Sequence, residues 1–157
     1  YCQRGKLCSS VVSPHGIVHD SSPPASRRLE ISSATAFTPG IDWVPAVFYQ
    51  RDDKNISAAW AAFCDNHTWV DTLRVGLGTN AFGTDVHEFA LVSNTSTTTT
   101  FGPKAGDSAL LHGQAYYVVF AVTNPAQAAE FYRTAPLYID QTPPEAHWVV
   151  DVFPQEL

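Results

Sequence analysis

Three observations predict an all-β chain, folded as a sandwich of antiparallel strands. Apolar residues make up 45% of the sequence and charged residues 15%, with 11 Pro, 9 Gly and no Met; that balance suits strands joined by turns better than a helical bundle. Many short runs alternate apolar and polar residues with a period of two and are punctuated by turn residues. The stretch Gly16-Ile-Val-His-Asp-Ser-Ser-Pro-Pro24 is echoed by Pro136-Leu-Tyr-Ile-Asp-Gln-Thr-Pro-Pro144, so the chain reads as a piece of a repeat. The offset is about 120 residues, the size of one sandwich domain with long loops. Proline donates no amide hydrogen and forces the preceding residue into an extended form, so Pro23-Pro24 and Pro143-Pro144 end their strands.

This divides the chain into three. Residues 1–24 are expected to be the last strands of a preceding module plus a Pro-rich linker, 25–144 a complete sandwich, and 145–157 the first strand of a following module. In the first part the chain turns at Gly5 and runs through Val11, Val12, Ile17 and Val18. Ser21 to Arg28 is a stiff extended linker, since proline restricts its conformers. Leu29 to Ile31 begins a new strand, Thr38-Pro-Gly-Ile-Asp-Trp43 is a turn and loop, and Val44 to Tyr49 is an apolar strand ended by Arg51-Asp52-Asp53-Lys54. Ile56, Ala58 and Trp60 alternate with Ser57, Ala59 and Ala61. A helix competes for the Ala-rich run, but the run is too short and lacks a helical repeat, so we read it as strand with Trp60 aimed at a core.

Val70 to Thr79 sets Leu73, Val75 and Leu77 against Arg74, Gly76 and Gly78, a strand with one buried face. Gly83-Thr-Asp85 turns the chain into His87 to Val92. The run Thr95 to Thr100 reads as an exposed edge strand, with an O-glycan cluster as the competing reading. Tyr116, Val118, Phe120 and Val122 share one face of the next strand, Asn124-Pro125 turns the hairpin, and Phe131 to Asp140 forms its return. His147 to Phe153 is a final strand. Single strands and isolated hairpins are marginal in water, so both ends are expected to rest against further modules, or against other copies in an open filament.

Charge and motifs exclude several functions. The net charge is −6 with no cluster of Lys or Arg, which argues against a nucleic-acid surface. No stretch approaches the roughly 18 apolar residues of a membrane span, and no membrane insertion is expected. His15, His19, His67, His87, His112 and His147 are scattered, and no zinc-ligand spacing or nucleophile elbow occurs. Asp52, Asp53, Asp65 and Asp85 lack the alternating ligand spacing of a calcium loop. The residues therefore predict no enzyme, no cofactor and no metal.

Modification marks are more informative. Sequons stand at Asn55-Ile-Ser57, Asn66-His-Thr68 and Asn94-Thr-Ser96, each near a predicted loop or strand end, so N-glycans are expected on Asn55, Asn66 and Asn94. Cys2 and Cys8 flank a turn centred on Gly5 and are expected to form a disulfide. Cys64 then reads as a buried small hydrophobe, or as the partner of a further segment. Trp43, Trp69 and Trp148 read as core or inter-module packing rather than as a recognition patch.

Leu110, Gly113, Tyr116, Val118, Phe120, Val122 and Asn124 resemble the fibronectin type III pattern Leu-x-x-Gly-x-x-Tyr-x-Val-x-Val-x-Ala-x-Asn, with Trp60 where that fold keeps its early core tryptophan. Trp60-x-x-Phe63-x-Asp65, Leu77-Gly-Thr79, Asp85-Val86, Tyr116-Tyr117 and Ile139-Asp-x-Thr-Pro-Pro144 further resemble the divergent fibronectin-like repeats of very large cell-surface proteins of algae and other protists. The similarity covers about Ser26 to Pro144. It departs from the pattern where Val122 replaces a small residue and where Pro125 stands in place of an expected Gly. The resemblance implies a seven-stranded antiparallel fibronectin III/Ig-like β-sandwich, with Trp60, Tyr116 and Phe120 in the core. It makes Tyr116 a tyrosine-corner residue, its hydroxyl bonded to backbone near Leu111 or His112.

The function this implies is that of a structural module in a long extracellular glycosylated protein: a stalk, filament or surface coat, and by resemblance a ciliary-surface hair (mastigoneme). Its partners would be neighbouring modules or other copies, and N-linked glycans. An adhesion or ligand-binding module using loops such as Phe82 to Val86 is the alternative, and an accessory domain of a secreted hydrolase is a third reading.

Overall fold

The computed structural model describes residues 20–26, 29–37, 47–103, 106 and 109–143. Among them there is no helix. The strands are β1 (Leu29–Ile31), β2 (Thr35–Phe37), β3 (Val47–Gln50), β4 (Ile56–Trp60), β5 (Thr72–Gly78), β6 (His87–Val92), β7 (Thr98–Phe101), β8 (Ala115–Thr123), β9 (Ala129–Arg133) and β10 (Leu137–Ile139). One sheet has the order β1-β4-β7; the other runs β2-β3-β10-β8-β5-β6, with β9 also paired to β8. The hairpin through Val11 and Val18, the Cys2–Cys8 bridge, the Thr38–Trp43 loop, Trp148 and the His147–Phe153 strand lie outside the described residues.

Period-two alternation decides which faces meet. On β4, Ile56, Ala58 and Trp60 are buried while Ser57 and Ala59 are half-buried, a strand pattern that settles the helix-or-strand question for the Ala-rich run. Leu73, Val75 and Leu77 on β5 and Val118, Phe120 and Val122 on β8 are buried in the same cluster. Trp60, from the smaller sheet, meets Phe120, from the larger, edge to face at 5.1 Å between centroids, and Phe63 lies 5.8 Å from the same ring. The two sheets thus share one core, an arrangement consistent with a β-sandwich. β7 pairs with β4 on one side and forms an edge of its sheet, the position expected for the threonine run.

The strand plan differs from the expectation in three ways. Ten short strands are described where seven were expected. β10 pairs with β3 in parallel, Leu137 opposite Phe48, so the larger sheet is mixed rather than purely antiparallel. The expected strand from Phe131 to Asp140 is broken into β9 and β10, because Pro136 has no amide hydrogen to continue the ladder. Thr134 bridges the break: its amide donates to the Val118 carbonyl at 3.0 Å, and its hydroxyl accepts from the Val118 amide at 3.2 Å. The edge of β8 opposite β5 therefore carries β9 along Val119–Thr123 and β10 at Ala115 and Tyr116.

Beyond the end of β5 the chain folds back closely. A Cβ placed on Gly78 would lie 2.1 Å from the Gly83 carbonyl oxygen, so only glycine permits this approach. Tyr116 is buried at the start of β8, and its hydroxyl accepts a hydrogen bond from the Leu111 amide at 2.8 Å. At the other end of β8, Asn124 is completely buried. Since β10 runs antiparallel to β8, Asp140 just beyond β10 and Asn124 just beyond β8 stand at opposite poles, separated by a strand of nine residues, roughly 30 Å at about 3.3 Å per residue.

Candidate functional site

The densest polar arrangement among the described residues forms where the linker meets the Asn124 pole. Asp20 is only 6% exposed although the linker it begins runs along the surface. Its Oδ1 accepts from the Ser22 amide at 3.0 Å and from the Ser22 hydroxyl at 2.7 Å, the local turn an aspartate forms with the residue two positions on. Its Oδ2 accepts from the Thr68 hydroxyl at 2.8 Å and from Asn124 Nδ2 at 3.1 Å. Four donors stabilise the charged form; with the Ser22 hydroxyl the largest cause, and burial opposing, the carboxyl is held at about 2.

Asn124 ties the linker to the sheet. Its Nδ2 also reaches the Ser22 carbonyl at 3.0 Å and Asp65 Oδ2 at 3.3 Å, while its Oδ1 accepts from the Ala128 amide at 3.0 Å and so closes the β8–β9 turn. Within that turn Gln127 adopts φ of 63°, a left-handed conformation that favours glycine. Asp65 in turn accepts from the amides of His67 and Thr68, which aims the Thr68 hydroxyl at Asp20.

Three more contacts fasten the linker. The Tyr132 hydroxyl donates to the Pro24 carbonyl at 2.8 Å, Ala25 and Cys64 exchange two backbone hydrogen bonds, and the Ser26 hydroxyl donates to the Ala61 carbonyl. Cys64 is half-buried and disulfide-bonded, which corrects its reading as a simple buried hydrophobe. Its partner lies outside the described residues.

The chemistry of this cluster is that of a clasp. Ser22, His67 and Asp20 are the residue types of a hydrolase triad, but Ser22 Oγ and Asp20 Oδ1 both lie by the same ring nitrogen, His67 Nδ1, at 3.0 and 3.6 Å. A triad needs the carboxylate and the hydroxyl on different nitrogens, so that the ring can relay a proton between them. Asp20, Asp65 and His67 also offer ligand atoms within 4.8 Å of one another. Yet the Asn124 amide points its hydrogens at both carboxylates, and a cation would have to displace that donor. Asp52, Asp53 and Asp85 do not join the group, and Asp85 instead accepts from the amide and hydroxyl of Thr79.

At the opposite pole the second copy of the motif makes the same local turn alone. The Thr142 amide donates to Asp140 Oδ1 at 3.0 Å, and the Thr142 amide and hydroxyl hold the Asp140 carboxyl below its ordinary value. His112 steadies this turn by accepting from the Gln141 amide at 3.1 Å. Asp140 is exposed, and among the described residues its hydrogen-bond donors all belong to Thr142.

The remaining expected sites are dispersed. Asn55, Asn66 and Asn94 are all exposed; Asn66 sits in the turn that carries Asp65 and His67, while Asn94 donates its amide to the Val70 carbonyl at 3.1 Å. Trp69 is 65% exposed beside the clasp rather than in the core. A cleft of about 410 Å³ near Tyr116 is lined by Thr79, Asp85, Val86, Leu110 and Leu111 among others. The sequence drew attention to Asp20 and Asp140 through their duplication. It gave no sign that Thr68, Asn124 and Tyr132 would converge on the first copy, since these come from three separate loops and strands. No protein-family model matches the chain, and no curated protein is significantly similar to it.

Proposed function

We propose that the chain is a structural repeat module of a long extracellular glycoprotein, a stalk, filament or surface coat, built on a fibronectin III-like sandwich. One observation carries the reading: the two copies of the Asp-x-Ser/Thr-Pro-Pro motif form the same turn and leave opposite ends of β8. A module threaded in that way transmits load from one linker to the other along its central strand, and a row of such modules extends without closing into a ring.

The fold-level part of the proposal draws support from the strand pairing. A three-stranded sheet β1-β4-β7 shares its core with β6-β5-β8 and a last strand divided between β9 and β10. The Tyr116 hydroxyl on the Leu111 amide fits a tyrosine corner, and Trp60 against Phe120 fits the tryptophan-centred core. The disulfide at Cys64 and three exposed sequon asparagines favour an oxidising, secretory compartment. Placement on a ciliary hair rests on the resemblance alone and is tested by immunolocalisation.

The decisive experiment is sequencing of the full transcript. The array reading expects further Asp-x-Ser/Thr-Pro-Pro copies spaced by about one module length, and an open reading frame without them overturns it. The cleft beside Asp85 and Val86 favours the second reading, a ligand-binding module, because it opens at the loop pole that includes Phe82 to Val86. A glycan array probed with the purified chain tests that alternative.

A further inference from the structure

We infer that the turn Asp140-Gln-Thr-Pro143, exposed throughout, is a plug, and that its partner is the Thr68–Asn124 socket of a following module of this same kind. The inference rests on the repeat reading above and adds how one module grips the next. The chain itself displays one filled socket. There Asp20 spends Oδ1 on its own turn and Oδ2 on Thr68 and Asn124, while Tyr132 takes the Pro24 carbonyl two residues after Ser22.

The second copy has everything the first brings to that socket. Asp140 makes the same turn with the residue two positions on, and the same Pro-Pro follows. Two differences separate the copies, Gln141 for Ser21 and Thr142 for Ser22. Ser21 is exposed, so its replacement meets solvent, and Thr142 keeps the hydroxyl that Ser22 uses. Among the described residues, Asp140 has only the donors of its own turn, with no counterpart of Thr68 or Asn124. A buried socket elsewhere with a threonine hydroxyl and an asparagine amide supplies those donors, and a carboxylate fits it better than a neutral group because two donors converge there. The joint so formed is stiff, because the linker is held by side chains from two loops and from β9 of the receiving module rather than by proline alone.

Two experiments test this. In the full chain, Ser21→Gln together with Ser22→Thr makes residues 20–24 identical to 140–144. The melting temperature and the slow exchange of the Asn124 side-chain amide hydrogens are expected to stay at the wild-type level, whereas Asp20→Ala lowers both. A double variant that falls as far as Asp20→Ala overturns the plug. The second experiment uses a tandem in which Pro144 of one copy runs directly into Ala25 of the next; the buried apolar residues among those described lie between Ile31 and Ile139, so each copy retains them, and Cys64 of the second copy, left without its disulfide partner, is changed to Ala. Asp140→Ala in the first copy is expected to expose Asn124 of the second copy to exchange, and to leave the melting of the single 157-residue chain unchanged. If the substitution is silent in the tandem as well, the joint is wrong. Further repeats in the transcript combined with that silence would leave the array standing without the joint, so the two failures are read separately.

Discussion

Tyr116 shows how much a single hydroxyl can organise. Its ring is buried in the core at the start of β8 while its oxygen takes the Leu111 amide, pinning an otherwise exposed residue to the sandwich. Tyr116→Phe keeps the ring and strands that amide, so chemical denaturation is expected to register a loss of roughly 1 to 3 kcal/mol. Gln127 presents the opposite case, a side chain held at φ of 63°. Gln127→Gly is expected to raise stability by about 0.5 to 1 kcal/mol, the strain relieved being partly offset by a more flexible unfolded chain. Asp20 governs the acid limb. Its carboxyl sits at about 2 against an ordinary 3.8, so its contribution is full above the ordinary value and is lost as pH falls through about 2. Melting curves of wild type and Asp20→Asn are expected to differ at neutral pH and to converge towards pH 2.

At the scale of the element, the sequence was most legible where one face of a strand is buried. The alternations in β4 and β8 and in the first half of β5 are physical consequences of the pleat; Gly76 and Gly78, expected opposite the buried face of β5, are buried as well, and β6 lies where the turn before it predicts but carries no buried residue. It was least legible where the backbone's partners are distant or neutral to pattern. Nothing in the sequence of Thr35–Phe37 marks it as a strand, and β3 is recognisable as a strand but not as the parallel partner of β10. The break at Thr134 to Pro136 was half visible, since the proline is plain in the sequence while the hydroxyl that carries the ladder across is not. Asn124 was readable only as a turn former, because its burial depends on a linker about a hundred residues away. Gly78 tests the close approach beyond β5: Gly78→Ala drives a Cβ into the Gly83 carbonyl. A loss of roughly 2 to 3 kcal/mol is expected by denaturant titration, more than Ala costs at an open strand position.

For the whole molecule, the linker and the sandwich form one hydrogen-bonded body among the described residues. The two sheets share a core, and the strand that joins the poles, β8, has no exposed residue. Peptide mapping of native material before and after reduction is expected to show the Cys64 peptide released only by reductant. The same spectra are expected to carry glycan on Asn66 and Asn55, with less on Asn94, whose amide is engaged by Val70. Spectra in which all three asparagines are unmodified would remove the extracellular assignment.

The contact between Asp20 and Asn124 spans 104 residues, and Asp20 is made first. A ribosome adding about 5 to 20 residues per second leaves the linker waiting roughly 5 to 20 seconds for the amide that will hold it. Thr68 is made well before that amide, and its hydroxyl is both the third position of the Asn66 sequon and a donor to Asp20. On the proposed glycosylation of Asn66, a transferase that reads that hydroxyl would work in this interval, before Asn124 arrives to complete the polar cluster around Asp20.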